Sequence, residues 1–214
     1  MTAFEVTLGG LRLPGSLQLP LGPARGLVVF AHGSGSSRHS PRNRFVADEL
    51  GKRGCATLLF DLLTDDEALD RRNVFDIPLL AGRLREAITW QAGVREIAGL
   101  PTGLFGASTG AAAALVAAAH FAERVGAVVS RGGRPDLAGT ALPRVRAPTL
   151  LIVGGADVEV LELNREAAAQ MTCELELRVV PGATHLFEEP GTLEAVATLA
   201  ADWLALHLTE ESHA

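Results

Sequence analysis

The sequence predicts an α/β architecture, a mostly parallel sheet with helices packed on both faces. Three observations carry this. From residue 26 onward, strand-like and helix-like segments alternate almost without interruption, as in a parallel sheet whose crossovers are helices. Strand segments such as Gly26-Leu27-Val28-Val29-Phe30-Ala31 are apolar throughout, as strands covered on both sides must be. Unusual small-residue loops come after the strands at 32–37, 106–110, 131–134, 154–157 and 181–185. Open α/β sheets hold their ligands there, outside the carboxyl ends of the strands.

Residues 4–8 and 11–18 read as an antiparallel pair around Gly9-Gly10, with Pro14-Gly15 as a kink or second turn. The strand 26–31 ends in His32-Gly33-Ser34-Gly35. Ser40-Pro41 then starts a helix, serine as cap and proline in the first turn, running to residue 52 with Phe45, Val46 and Leu50 on one side. The strand 56–60 ends at Asp61, an acidic loop comes next, and Asp76 caps a helix with Leu80, Leu84 and Ile88 four residues apart. The strand 102–105 leads into Gly106-Ala107-Ser108-Thr109-Gly110 and a helix to residue 120. Further strands at 125–130, 149–153 and 174–180 are expected, with a helix over 160–171. The last helix, 192–207, is expected to bury Val196, Leu199, Trp203 and Leu206.

At 214 residues the chain has the size of one domain, 1–214, and 48% hydrophobic residues suffice for one large core. No apolar run approaches the ~18 residues of a membrane span, and the first residues show no basic-then-apolar leader. Cys55 and Cys173 each sit in an apolar run, so buried free thiols and a cytoplasmic setting are expected. The net charge of −6 argues against a nucleic-acid surface. Neither a membrane nor a protein partner beyond a monomer or homodimer is implied. Asp65, Asp66, Glu67 and Asp70 form an acidic stretch with no histidine among them, read as a solvated face; no metal or other cofactor is expected. Tyrosine is absent, which excludes a tyrosine general acid.

Ser108 is the candidate nucleophile. A strand turning straight into a helix leaves no room for side chains two positions either side of its centre and strains the central residue, lifting its hydroxyl toward a helix N-terminus. A serine needs a base, and the base needs an acid to hold its tautomer. His185 stands at a strand's carboxyl end in a glycine-bearing loop and is the expected base. Asp157, four residues past the preceding strand, is the expected acid, against the alternative of a helix cap. Asp136 is the runner-up. Asp61 precedes the serine, and Glu188 and Glu189 lie too near His185. His32 is expected to order its own loop. The oxyanion donors are expected to be the backbone N–H of Thr109 and that of Ser34, with Gly33 the alternative. Arg131 is the first choice for holding a carboxylate or phosphate of the substrate, beside Gly33 in the binding face, with Arg134, Arg38 and Arg42 behind it; the alternative is that these arginines are solvated or structural and paired with nearby acids.

Taken together, His32-Gly33-Ser34-Gly35, Gly106-Ala107-Ser108-Thr109-Gly110, Gly154-Gly155-Ala156-Asp157 and Gly182-Ala183-Thr184-His185 resemble the dienelactone hydrolase-like branch of the α/β-hydrolase superfamily. The resemblance covers nearly the whole chain, in the order serine, acid, histidine. It implies an eight-stranded, mostly parallel sheet with strand two antiparallel, and ester hydrolysis through an acyl-enzyme. Dienelactone hydrolases carry a cysteine nucleophile where this chain has Ser108, so carboxylic esters or thioesters in general, rather than dienelactone, are the expected substrates. An acyltransferase on the same residues and a non-catalytic ligand-binding member of the fold are the alternatives. Only 18 residues, 131–148, separate the two strands between which many superfamily members insert a lid. No substantial lid is expected, which implies a shallow site suited to small or exposed esters.

Overall fold

Thr2–Leu8 (β1) and Leu13–Leu19 (β2) form the antiparallel pair that opens the chain. The turn lies at residues 9–12, and Pro14 and Gly15 are inside β2, paired with Thr7 and Val6, rather than in a second turn. The reason is packing. A Cβ on Gly15 would lie 2.8 Å from Leu8 Cδ1 and 3.0 Å from Phe60 Cβ, so glycine lets neighbouring strands press over it. A computed structural model describes residues 1–208 of the chain.

The remaining strands are Leu27–Ala31 (β3), Ala56–Phe60 (β4), Thr102–Ala107 (β5), Val125–Arg131 (β6), Thr149–Gly154 (β7) and Leu175–Val180 (β8). They complete an eight-stranded sheet in the order β1-β2-β4-β3-β5-β6-β7-β8. β2 runs antiparallel to both its neighbours, and all pairs from β4 to β8 are parallel. The order reverses between β3 and β4, so β5 lies next to β3 at the centre. Central strands β3, β4 and β5 are buried at every residue, which explains their unbroken apolar sequence. β8 is the far edge and is largely half-buried or exposed.

The helices are Pro41–Lys52 (α1), Asp65–Leu69 (α2), Ile77–Gln91 (α3), Thr109–His120 (α4), Val158–Ala168 (α5) and Thr192–His207 (α6). α1 and α6 cover one face, packing Val46, Leu50, Val196 and Leu204 against Val28, Phe105, Val129 and Ile152. α3 and α4 cover the other, with Leu80, Leu84 and the α4 alanines against Val29, Leu58, Leu104 and Val128. The alternation of β6 sets the direction of its last residue, Arg131: Ala127 and Val129 face α1 and α6, whereas Val128 faces α4. Caps behave as the sequence reads. Ser40 Oγ accepts the Asn43 N–H and Asp76 Oδ1 that of Leu79.

Several expectations need correction. α5 starts two residues earlier and ends three earlier than read, because the chain turns into it directly from residue 157. Leu206 is 65% exposed, on the outer side of α6, while Val196 and Trp203 are buried. Cys55 is buried but Cys173 is only half-buried; both are free thiols. The acidic stretch after β4 is no simple loop. Thr64 and Glu67 close a capping box, each side chain bonding the other's backbone N–H, and this folds α2. A 3-10 turn, Asn73–Phe75, comes after it. Between β6 and β7 a 3-10 segment, Pro135–Arg144, packs back on α4 and α5, so no helical cap is inserted there.

Candidate active site

The turn after β5 is built by contact. A Cβ on Gly106 would lie 2.4 Å from Ala111 Cα, and one on Gly110 would lie 2.3 Å from Ala31 O. Both positions therefore exclude any side chain, and the sharp strand-to-helix turn depends on that. Ser108 at its apex has φ 51° and ψ −122°, a left-handed backbone region that costs a non-glycine residue of the order of 1–3 kcal/mol. Its backbone is held on both sides. The Ser108 N–H donates to Arg131 O at 3.3 Å, and Ser108 O accepts from the Arg134 N–H at 3.1 Å.

His185 lies in the loop after β8, and its Nδ1 is 2.7 Å from Asp157 Oδ2. Asp157 occupies the N-cap position of α5 but makes no capping bond with its side chain. Its carboxylate is committed to the imidazole instead. The runner-up, Asp136, is held by Arg134 through two hydrogen bonds of 2.8 and 2.7 Å, and Asp61 by the Arg38 side chain and backbone. Among the described residues neither makes a hydrogen bond to His185. The two loops that carry Asp157 and His185 are stitched by Ala156 N–H to Ala183 O at 2.9 Å and Gly155 N–H to Val180 O at 2.8 Å. Gly154 permits this, since a Cβ there would lie 2.3 Å from Ala183 O.

Ser108 and His185 both border the segment after β6. A Cβ on Gly132 would lie 3.1 Å from His185 O and 3.6 Å from His185 Nδ1, and Gly132 adjoins Arg131, whose carbonyl takes the Ser108 N–H. Among the described residues no hydrogen bond joins Ser108 Oγ to His185 directly; such bonds often tighten only in a substrate complex. Bonding Nδ1 to Asp157 leaves Nε2 as the imidazole's other face.

The loop after β3 lies against the serine. A Cβ on Gly33 would be 3.0 Å from Ser108 Cβ and 3.1 Å from Ala107 O. The Ser34 N–H donates to Thr109 Oγ1 at 3.1 Å, so the two residues expected to donate to an oxyanion are joined by the threonine hydroxyl. His32 orders this loop through its ring. Nε2 accepts the Leu62 N–H at 3.1 Å, leaving Nδ1 to donate to Gly33 O at 3.0 Å. Burial lowers its pKa from 6.5, the Gly33 bond and Asp61 opposing; the neutral form is the one these bonds require.

Four contributors escaped the sequence. Glu189 accepts from Thr184 N–H at 3.1 Å and from Thr184 Oγ1 at 2.6 Å, bracing the residue before His185. The Thr184 hydroxyl bond is the main reason its pKa is lowered. Asn164, fully buried on α5, donates to Gly133 O at 3.0 Å and holds the segment after β6. Asn43 accepts from Arg131 Nη2 at 3.3 Å. Thr109 Oγ1 is the fourth. Asn164, Asn43 and Thr109 Oγ1 act on partners 31, 88 and 75 residues away, beyond the reach of local sequence signals, and Glu189, five residues from Thr184, is set aside by sequence spacing because it lies too near His185. Arg131 itself is 8% exposed and turns inward toward α1 instead of standing on the surface.

A cavity of about 170 Å³ opens beside Ser34 and Thr109, its apolar wall formed by Leu62, Leu63, Val74 and Leu80. The segment after β4 builds that wall, so the site is deeper on this side than a lidless face implies. Among the described residues no cluster of three or more histidine, cysteine or carboxylate side chains could hold a metal ion. Among them, too, no helix is long and apolar enough to cross a membrane.

A sheet of this order, with a glycine-flanked strained turn after β5 and the Asp157–His185 pair at the ends of β7 and β8, defines an α/β hydrolase fold. The chain belongs to the dienelactone hydrolase family, whose model matches residues 15–208. A crystal structure of a dienelactone hydrolase from Anabaena variabilis is 54% identical, with a TM-score of 0.91 and 97% of each chain covered. Est1E from Butyrivibrio proteoclasticus shares the fold at 16% identity, TM-score 0.78, covering 96% of this chain and all of that one. Curated proteins from two Mycobacterium tuberculosis strains, named "Putative phosphoribosyl transferase", are 62% identical over 204 residues. These cover 95% of this chain, which spans about half (46%) of their length.

Proposed function

We propose that the chain is a serine hydrolase of carboxylic esters or thioesters that works through an acyl-enzyme on Ser108. The observation that carries this is the 2.7 Å bond between His185 Nδ1 and Asp157 Oδ2, made by an aspartate whose obvious local job, capping α5, is left undone. In the proposed reaction His185 Nε2 takes the proton as Ser108 Oγ adds to the ester carbonyl. The tetrahedral intermediate collapses, the C–O bond to the leaving group breaks, and His185 returns the proton to that group. Water then repeats the sequence on the acyl-enzyme and regenerates the serine. Asp157 holds the imidazole tautomer and offsets its charge.

The Thr109 N–H and the Ser34 N–H are the proposed oxyanion donors. Thr109 Oγ1 keeps Ser34's donor beside the helix N-terminus until the developing oxyanion replaces it as acceptor; losing one such donor typically costs about 3 kcal/mol of transition-state stabilisation. Gly33 provides the close backbone approach. The adjoining cavity, comparable in size with a ~150 Å³ site that holds benzene, suits a compact apolar group on the ester. A fluorophosphonate should label the native protein and not Ser108→Ala, and short p-nitrophenyl esters should be hydrolysed without an added acceptor. Folded protein that takes no label would favour ligand binding without catalysis. Turnover that needs an added alcohol or amine would favour acyl transfer.

A further inference from the structure

Among the described residues, the guanidinium of Arg131 is a buried charge without a counter-ion. Its residue is 8% exposed; Nη2 donates to Asn43 Oδ1, and Nε and Nη1 are buried with no hydrogen-bond partner. Unsatisfied buried donors are uncommon in native proteins, and a buried charge with no partner is costlier still. Its charged neighbour makes matters worse. Desolvation first and the like charge of Arg42 second lower the Arg131 pKa to about 10, with no carboxylate acting on it.

Arg42 belongs to the same pocket of charge. It stands in the first turn of α1, next to Asn43, and its Nε is also buried with no hydrogen-bond partner among the described residues. Its outer end pairs with Glu188 at 3.2 Å, and that glutamate is 64% exposed at its side chain. Glu188 thus neutralises one of two guanidinium groups from the solvent side and leaves the inner one uncompensated. The positive end of α1 adds to the same field. All of this lies at the end of β6, one residue from the Gly132 that adjoins His185.

We infer that Arg131 and Arg42, with Asn43 orienting the inner guanidinium, form a binding site for a phosphate group, which displaces Glu188 on entering. Two guanidinium charges match the ~1.5 to 2 negative charges of a phosphate at neutral pH better than one carboxylate does. The group is borne by the ester substrate or arrives free. As a substrate group it rests on the proposed serine hydrolase activity and defines the substrates as phosphate-bearing esters.

The experiment uses inorganic phosphate and a pair of acetyl esters, one of glycerol phosphate and one of glycerol. Phosphate at saturating concentration should raise Tm by about 2–4 °C over sodium chloride at equal ionic strength. The shift should disappear in Arg131→Met, and in Arg42→Gln should that first variant fail to fold; Glu188→Gln should strengthen phosphate binding several-fold. A tenfold or greater kcat/KM preference for the phosphate ester, lost in Arg42→Gln and competitively suppressed by phosphate, assigns the site to the substrate. Equal turnover of both esters with the Tm shift intact assigns it to free phosphate. No shift beyond that of chloride, or a shift that survives both arginine substitutions, overturns the site. Fluorophosphonate labelling of Ser108, run in parallel, separates the two claims: labelling without a phosphate shift removes only this site, and a shift without labelling removes only the hydrolase reading.

Discussion

Gly110→Ala tests the construction of the site most directly. The added Cβ would stand 2.3 Å from Ala31 O and 2.6 Å from His32 O, both backbone atoms, where ordinary contact begins at 3.4 Å. About 1 Å of movement is needed, and neither neighbour can turn aside. β3 is buried on both faces and paired with β4 and β5. The opposing group is the first turn of α4, itself packed on the sheet. Overpacking of this kind costs about 1–3 kcal/mol, which for a chain of this size lowers Tm by roughly 2–4 °C per kcal/mol. The same displacement separates the loop after β3 from Ser108, and misplacing reacting groups by ~1 Å can cost 10²-fold in rate. Thermal melting by circular dichroism, together with the rate of fluorophosphonate labelling, measures both effects. Gly10→Ala is the control, since nothing lies within 4 Å of its Cβ position. A Gly110→Ala protein with unchanged melting and unchanged labelling would refute the claim that close backbone approach builds this turn.

Asp157→Asn should leave the fold intact and lower kcat by a factor on the order of 10⁴, the cost of a wrong histidine tautomer; ester hydrolysis at matched substrate saturation measures it, and an undiminished kcat would remove Asp157 from the mechanism. His32→Asn should alter the pH dependence of stability. The folded pKa of His32 is depressed below 6.5, so its neutral form stabilises the native state fully above that value. As pH falls below it, the unfolded chain takes up the proton first and stability is lost. Urea titrations between pH 7 and 5 should show a shallower decline in the variant, and parallel curves would exclude His32 as a source of acid sensitivity. Glu189→Gln should slow turnover by freeing Thr184 and the His185 loop while leaving KM nearly unchanged; a change confined to KM would place Glu189 in substrate contact instead.

The elements were legible because their signals are local. Unbroken apolar runs marked β3, β5 and β7, proline and serine marked the start of α1, and the small residues around Ser108 marked a turn that tolerates no side chain at Gly106 or Gly110. Where local signals conflict, the reading slipped. Pro14-Gly15 looked like a turn, yet its neighbours needed a thin strand. The acidic segment after β4 looked like a loop, and Asp65 and Asp66 are exposed as expected, yet Thr64 and Glu67 fold it into a helix and its apolar residues help wall a cavity.

By itself the sequence determined the sheet-and-helix alternation, the strained turn at Ser108, and the candidates Asp157 and His185 at strand ends. Only the tertiary structure decided between rival partners. Asp136 goes to Arg134 and Asp61 to Arg38, so the carboxylate facing His185 is that of Asp157. The direction of Arg131 was settled by the pleat of β6, which turns it toward α1 and away from solvent. The physical reason is range. Periodicity and capping act over a few residues, whereas the pairings of Asp61 with Arg38, Asp157 with His185 and Arg131 with Asn43 join groups tens of residues apart that only the order of the strands brings together.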